Sequence, residues 1–466
     1  MINIKKIKSI CCVGAGYVGG PTMAVIADKC PNITVNVVDI NQERIDSWND
    51  LDLSKLPVFE PGLADIIGRV RNKNLFFSTN VGEFISKSEL VFISVNTPTK
   101  KYGIGAGKAS DISSLEECTR QVAKFATGHT IVVEKSTIPV KTAAAVKAIL
   151  ETTQNDNEIN KTFSVLSNPE FLAEGTAIKD LENPDRILIG GDENDAINLL
   201  KDIYLNWVDI KKIITTNLWS SELSKLASNA FLAQRISSIN SFSALCEETG
   251  ANIDELKRAI GTDKRIGQYF LNVGPGFGGS CFQKDILNLT YLSEHFGLPE
   301  VAAYWEQVIN INNWQQYRIY KTVLNKLFGT LSNKKISIFG FAFKADTNDT
   351  RESPAIKICK YLLDENASIV IHDPRVNESN IDIDLKDYIK LKFSKWEVSS
   401  DFELAAKDSD AIIILTEWDI YKKIDWFKIE KLMRKPAWVF DTRKLIDPNV
   451  IKKTNLNFWQ IGYGQN

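Results

Sequence analysis

Seven short apolar runs punctuate the amino-terminal part of the chain: Ile7–Val13, Ile33–Val38, Leu75–Ser78, Leu90–Val95, Thr130–Val133, Phe163–Leu166 and Ile187–Ile189. Each is short and bounded by polar or turn residues, which reads as a buried strand. Helix-compatible stretches lie between most of them, and this alternation predicts a parallel, doubly wound sheet. In such sheets ligands collect at the carboxyl ends of the strands. Those ends carry Asn96-Thr97-Pro98-Thr99, Glu134-Lys135-Ser136-Thr137-Ile138-Pro139 and Asn168-Pro169-Glu170-Phe171-Leu172-Ala173-Glu174-Gly175. Turn chemistry accounts for the prolines but not for the clustered Glu, Lys and Thr, so a lined cleft is expected.

The pattern then lengthens. Neither glycine nor proline occurs between Gly191 and Gly250, and Ser220 to Glu248 has helical spacing through Leu223, Leu226, Ala227, Ala230, Phe231, Ile236, Ile239 and Leu245. A helix of that length suits a spine joining domains or forming a dimer contact. Lys225 and Asn229, four apart, would share one of its faces. Val301 to Leu327 is also free of glycine and proline and predicts a helical bridge. From Lys334 the strand–helix alternation restarts. Ile336–Phe339 ends at Gly340, Ser353-Pro354 reads as a cap and first-turn proline of a helix to about Glu365, and further strands are expected at Ile369–Ile371, Ala411–Leu415 and Trp438–Phe440.

Composition narrows the function classes. A chain of 466 residues exceeds what one core usually serves. Its 56 basic and 58 acidic residues leave a net charge of −2, which exerts no long-range pull on nucleic acid or an anionic membrane. Any phosphate must therefore be held by a few placed cations. The seven cysteines are scattered without a Cys-x-x-Cys pair, against a disulfide framework or a cysteine-rich zinc site and in favour of a reducing compartment. The uncharged stretch Ile10 to Ala27 follows Lys5, Lys6 and Lys8 and could pass for a secretory signal. Gly14, Gly16, Gly19, Gly20 and Pro21 in its middle argue against that, and no other run is long enough to span a bilayer. The expected location is cytoplasmic, with no metal, no nucleic acid and no membrane partner.

The same glycines have a better explanation. The first strand runs into Gly14-Ala15-Gly16-Tyr17-Val18-Gly19, a helix follows, and the second strand closes on Asp39, 20 residues beyond Gly19. In a dinucleotide-binding turn the first glycine makes the bend, the second lets backbone approach a pyrophosphate, and the third lets helix pack on strand. The helix start offers free N–H groups to phosphate. Asp39 would accept from ribose hydroxyls and repel a 2′-phosphate, so NAD is expected over NADP, with Arg44 flanking the ribose or adenine. The second α/β unit lacks the glycine triplet but carries Lys344 and Arg351 where phosphate would sit, and Arg443 after its last strand. A different nucleotide-like ligand is expected there. The predicted fold class is α/β, two Rossmann-like doubly wound domains joined by a central helical domain with a long spine helix, divided at 1–215, 216–328 and 329–466.

Chemistry concentrates at Gly274-Pro275-Gly276-Phe277-Gly278-Gly279-Ser280-Cys281-Phe282-Gln283-Lys284-Asp285. Ser280 reads as a helix cap, which puts Cys281 in the first turn, where free N–H groups favour a thiolate. Asp285 shares its face, and the glycines would let a substrate approach backbone closely. The three histidines, His129, His295 and His372, lie outside the polar strand-end motifs of the first unit. A Lys, a Glu or a Thr-bound water must then handle protons.

Taken together, the Gly14-to-Gly19 turn, Val95-Asn96-Thr97-Pro98-Thr99, Glu134-Lys135-Ser136-Thr137, Asn168 to Gly175, the Lys225 helix, Gly278 to Asp285 and Gly340-Phe341-Ala342-Phe343-Lys344 resemble the UDP-glucose/GDP-mannose dehydrogenase family over nearly the whole chain, to about residue 450. Its eukaryotic-type members acting on UDP-glucose are the nearest in pattern. The resemblance implies NAD-dependent, four-electron oxidation of UDP-glucose to UDP-glucuronate through thiohemiacetal and thioester intermediates on Cys281, followed by hydrolysis. It implies Cys281 as nucleophile, Lys225, Asp285 and Thr137 with a water managing the proton and the oxyanion, and Glu170 as acid/base in hydrolysis. Phe171, Leu172, Asn229, Phe270, Phe277, Phe343, Lys344 and Arg443, with Glu170 and Lys225, would contact the sugar nucleotide, and Arg265 would reach it from a neighbouring subunit. Gly14, Gly16, Gly19, Asp39, Arg44, Thr137, Glu174 and Arg351 would hold NAD. A homo-oligomer is implied, with dimer against hexamer left open. The sequence departs from the pattern at Asn272-Val273-Gly274-Pro275, where animal members tend to carry Lys-Ala-Ser-Val, and at Ala106 and Asn348. Oxidation of another sugar nucleotide, GDP-mannose or UDP-N-acetylmannosamine, and a non-catalytic nucleotide-sugar sensor are the alternatives.

Overall fold

The structure, a computed structural model, describes residues 6–154, 161–388 and 395–464. It divides into two compact units, Met1–Ser228 and Asn229–Asn466.

The first unit is built on an eight-stranded sheet. Its strands are β1 (Ser9–Val13), β2 (Thr34–Val38), β3 (Leu75–Ser78), β4 (Leu90–Ile93), β5 (His129–Glu134), β6 (Thr162–Ser167), β7 (Ile187–Gly191) and β8 (Ile213–Thr216), in the order β3-β2-β1-β4-β5-β6-β7-β8. Successive residues of β1 serve opposite layers: Ile10 and Cys12 join the core that holds Met23, Trp48 and Ile67, while Cys11 and Val13 join the one that holds Ile85, Val122 and Leu150. Burial on both faces is why these strands read as unbroken apolar runs. The uncharged stretch Ile10 to Ala27 is thereby accounted for as a core strand, its turn and the packed helix Gly19–Lys29.

The sheet departs from the all-parallel expectation at one seam. β7 runs antiparallel to β6, pairing Leu166 with Gly191 and Ser167 with Gly190, and β8 runs parallel to β7. A parallel crossover needs a connection that returns over the sheet face. The connection here, residues 168–186, carries only the six-residue helix Ala177–Glu182, yet it is about as long as the one between the parallel strands β1 and β2, so its length does not dictate the reversal.

The second unit carries a fully parallel six-stranded sheet of β9 (Lys335–Phe339), β10 (Ser368–His372), β11 (Lys395–Val398), β12 (Ala411–Ile414), β13 (Trp438–Asp441) and β14 (Asn457–Gln460), ordered β11-β10-β9-β12-β13-β14. Both sheets therefore share one winding order, reversing beside their first strand, where doubly wound folds bind ligands. Strands β8, β11 and β14 escape the apolar pattern because each lies at a sheet edge, with one neighbour and less need for burial. The 32-residue helix Leu218–Thr249 is the expected spine, and Pro299–Lys326 is the second long helix. Among the described residues no helix is long and apolar enough to cross a membrane.

Each sheet is locked at its reversal point by one glycine. Gly14 (φ +108°) and Gly340 (φ +93°) each donate an N–H, to Val38 O and His372 O, both at 2.8 Å. A Cβ at Gly340 would sit 2.3 Å from Thr416 Cβ and 2.7 Å from its backbone nitrogen. Positive φ and overlap act together there, so Gly340→Ala should lose about 3 kcal/mol. Thermal unfolding should shift by roughly 8 °C. A shift of less than about 2 °C would mean that the turn relaxes at little cost.

Candidate active site

In the first unit the glycine turn divides its tasks as expected of a phosphate cradle. A Cβ on Gly19 would lie 2.0 Å from Gly14 O, so the helix starts in direct contact with the turn, whereas a Cβ on Gly16 would meet nothing within 4 Å. The helix Gly19–Lys29 begins without a side-chain cap, and its start is tied back to the turn by Gly20 N donating to Gly16 O and Thr22 N to Val18 O, both at 3.1 Å. Asp39, at the end of β2, accepts from Ala15 N at 2.9 Å, Asn41 N at 2.9 Å and Arg44 Nη1 at 3.0 Å. An ionised carboxylate has about four acceptor sites, so capacity for a ribose hydroxyl remains. The corresponding acid of the second sheet, Asp373, already accepts from the N–H groups of Phe341, Ala342, Arg375 and Val376 and from Trp418 Nε1. That saturation argues against the same ribose contact there. The residues of the first unit thus fit a dinucleotide.

At the ends of β4, β5 and β6 the polar motifs converge. Thr97 Oγ1 donates to Thr137 O at 2.8 Å, and Ser136 Oγ to Val95 O at 2.6 Å, tying two loops together. Glu170 Oε1 accepts from Phe171 N at 2.7 Å and Leu172 N at 3.0 Å, while Oε2 lies 2.9 Å from Lys135 Nζ. Burial pushes the Glu170 carboxyl towards the neutral acid. The Lys135 ammonium outweighs it, helped by Lys225 and the Phe171 N–H, and holds the group below the usual carboxylate range. Lys225 is buried on the spine helix, its Nζ 5.4 Å from the Phe171 ring centre, and the Arg186 guanidinium lies 3.9 Å from that ring. Gly175 N and Ala177 N, flanking the loop of Glu174, donate to Glu60 at 2.6 and 2.9 Å, and Tyr17 OH donates to the same carboxylate.

Glu134 corrects the lined-cleft expectation, because its carboxyl is 1% exposed and pushed well above the carboxylate range by burial and by the neighbouring Glu222. Glu222 itself accepts from Lys141 N and Ala143 N, and burial pushes its pKa to about 7. Lys135, Glu60, Arg186 and Glu222 carry no apolar or glycine signature. Lys135 stood inside a quoted motif, but nothing local marks it as buried.

In the second unit the cysteine loop packs on the loop that follows β9. Gly279 N donates to Arg351 O at 2.8 Å, and a Cβ on Gly278 would lie 2.5 Å from Glu352 O. One on Gly279 would lie 3.1 Å from the Phe343 ring. Gly278 and Gly279 thus serve close protein packing, a task that the local pattern did not announce. The helix begins at Phe282, with Cys281 in the capping position and no side-chain cap; Ser280 Oγ lies instead 3.6 Å from Cys281 Sγ. All seven cysteines are free, and Cys281 alone is exposed. Asp285, buried one turn on, accepts from Asn229 Nδ2 at 2.6 Å.

Buried amides hold the loop from behind. Asn312 accepts from Phe277 N at 2.8 Å and donates to Phe277 O at 3.1 Å; Gln315 donates to Gly274 O at 2.9 Å; Asn240 accepts from Gly274 N at 3.0 Å. The Phe277 ring is buried and lies edge-on to Phe282 at 5.8 Å. Arg443 donates to Leu415 O at 2.8 Å and Phe343 O at 3.3 Å, and a Cβ at Gly274 would lie 3.1 Å from its Nη1. The departure at Gly274 therefore leaves room for that guanidinium. Lys344 Nζ lies 5.6 Å from the Phe343 ring centre, and Arg351 pairs with Asp349 at 2.7 Å. Arg265 is exposed and paired with Asp263, and Phe270 is exposed with φ +60°.

Residues 8–208 match the NAD binding domain of the UDP-glucose/GDP-mannose dehydrogenase family, 219–314 its central domain and 337–448 its UDP binding domain. The chain belongs to this family. It is 53% identical to UDP-glucose 6-dehydrogenase 4 of Arabidopsis thaliana, covering 97% of this chain and 96% of that one, and 53% identical to the Mus musculus UDP-glucose 6-dehydrogenase, covering 96% and 90%. A UDP-glucose dehydrogenase structure from Pyrobaculum islandicum superposes with a TM-score of 0.85 at 27% identity over all of both chains. Membership gives the two sheets distinct ligands within the family, in keeping with the open acid at Asp39 and the saturated one at Asp373.

Proposed function

We propose that this chain oxidises UDP-glucose to UDP-glucuronate with NAD, by two successive oxidations and a hydrolysis. The observation that carries the reading is Cys281, the exposed cysteine among seven, set between a protein-packed glycine loop and a helix that brings a buried Asp285–Asn229 pair one turn later. Gly14, Gly16, Gly19, Asp39, Arg44, Thr137, Glu174 and Arg351 would hold NAD, which supplies the hydride acceptor when bound. Phe171, Leu172, Asn229, Phe270, Phe277, Phe343, Lys344 and Arg443 would hold the sugar nucleotide.

Lys225, Asp285 and a water at Thr137 take the alcohol proton and stabilise the oxyanion as the sixth carbon becomes an aldehyde. The Cys281 thiolate adds to that carbon, and the oxidised adduct is a thioester. Glu170, kept ionised by the cations around it, takes a proton from the water that attacks the thioester; the C–S bond breaks and its electron pair returns to sulfur. The reaction consumes water and yields two NADH. Limiting UDP-glucose with excess NAD should therefore give two NADH per sugar by ultraviolet absorbance. Turnover with only another sugar nucleotide would replace the substrate, and silence across a panel would sink the enzyme reading.

Asp39 yields a separate expectation. Asp39→Asn should weaken NAD binding about tenfold while NADP binding weakens less or improves, since the charge facing a 2′-phosphate is gone. Titration calorimetry with both dinucleotides measures the ratio, and an unchanged ratio would remove Asp39 from the ribose site. The location we propose is cytoplasmic. We also propose a homo-oligomer in which Arg265 reaches a neighbouring subunit, supported by the exposed Phe231, Phe242 and Leu245 of the spine helix. A strictly monomeric, fully active protein in sedimentation would refute it.

A further inference from the structure

We infer that Lys135 is a positioning residue for the hydrolytic step: its buried ammonium fixes Glu170 as the proton acceptor for the attacking water. This rests on the reading of Glu170 given above. Lys135 follows β5 directly and is 3% exposed. Its Nζ lies 2.9 Å from Glu170 Oε2 and donates to Asn168 Oδ1 at 3.1 Å. The same amide oxygen accepts from Tyr204 OH at 2.5 Å, and Asn168 Nδ2 is anchored on Leu188 O at 2.8 Å. The cation is thus held by side chains fixed to β6, β7 and the helix Asn194–Tyr204. Two backbone N–H groups hold the other oxygen of Glu170. Orientation and charge are both set, and Oε2 keeps one acceptor site for a water proton.

A purely structural role explains this arrangement less well. Buried ion pairs pay a desolvation penalty that well-packed apolar side chains avoid, so stability alone is weak reason for one. A carboxyl this buried without a cation takes up a proton and cannot then act as a base. Lys135 reverses that preference, and in step with the geometry the Glu170 carboxyl is held below its usual range. During hydrolysis the water oxygen bonds to the acyl carbon, one water proton passes to Glu170, and the sulfur leaves with the C–S electrons. Lys135 exchanges no proton; it stays an ammonium throughout, its own pKa raised by Glu170 and Tyr204 against burial.

The test separates this step from the oxidations. Wild type, Lys135→Met and Lys135→Arg are mixed rapidly with UDP-glucose and excess NAD, following NADH together with the intact mass of the quenched protein. In Lys135→Met the first-turnover burst should fall less than about threefold while steady turnover falls about a hundredfold, with a sugar-nucleotide thioester accumulating on Cys281. Its turnover should recover as pH rises, because the carboxyl, left with Lys225 as its one remaining cation, then ionises, and Lys135→Arg should restore turnover to within about tenfold of wild type. Burst and steady state falling together without an adduct, or hydrolysis at the wild-type rate, overturns the role. Should Lys135→Met not fold, wild type decides alone: product release in single turnover should stay flat from about pH 8 to about 5.5, and a decline centred above about pH 6 refutes a base held ionised. Wild type giving no NADH from UDP-glucose would instead sink the proposed function itself.

Discussion

Cys281→Ser should lower formation of the acid from UDP-glucose at least about a thousandfold, the largest loss expected from any single substitution here. The reason is the order of events. A hydroxyl at the start of helix Phe282–His295 is a far weaker nucleophile near neutral pH than a thiol, because almost none of it is ionised. Without the sulfur adduct there is no thioester to hydrolyse, and an aldehyde bound only through hydrogen bonds can leave. Loss should therefore be total for the acid but partial for the first oxidation. Product analysis by chromatography, rather than NADH alone, reads the difference. Acid formed at more than about a tenth of the wild-type rate would mean that the covalent route is not used.

Lys225→Met should reduce kcat by about a thousandfold with little change in KM. Lys225 is buried on the spine helix beside the Phe171 ring, and it contributes to keeping Glu170 ionised. An ammonium in a dry environment stabilises a developing oxyanion far more than it does in water. Its removal costs most where negative charge appears, in the transition state. A second signature follows from Glu170. One of the two cations lowering its pKa is lost, so the acid limb of the hydrolysis rate should move to higher pH than in wild type. A variant whose KM rises while kcat holds would assign Lys225 to substrate binding alone, and an unmoved acid limb would separate it from Glu170.

How much of this was legible beforehand varied with the range of the interaction. Strands β1 to β7 all left apolar runs, since each is buried on at least one face, and the spine helix left a long stretch without glycine or proline. The Gly14-to-Gly19 turn and Asp39 were readable from spacing alone, because their tasks are local backbone tasks. Cys281 stood out by its glycine-rich neighbourhood. One task of those glycines was not legible: Gly278 and Gly279 accommodate Glu352 and Phe343, more than sixty positions along the chain, and local pattern carries no record of such a partner. The burial of the Phe277 ring was likewise not legible from its glycine-rich surroundings.

By itself, then, the sequence determined the alternation of elements and the two winding units, and it pointed to a candidate cofactor turn and to Cys281 as candidate nucleophile, all of which depend on residue period, backbone freedom or intrinsic reactivity. Tertiary structure alone decided the reversal of β7 and β8, since a connection about as long as the parallel crossover between β1 and β2 carries no local sign of direction. It also decided which charges are buried and what compensates them. Lys135 and Glu170 stand in separate strand-end motifs with nothing local to mark them as a pair, yet they meet at 2.9 Å in a buried network with Asn168 and Tyr204. The physical reason is that desolvation and ion pairing depend on neighbours supplied by other elements, so the protonation state of a buried group is set by the fold and not by its local sequence.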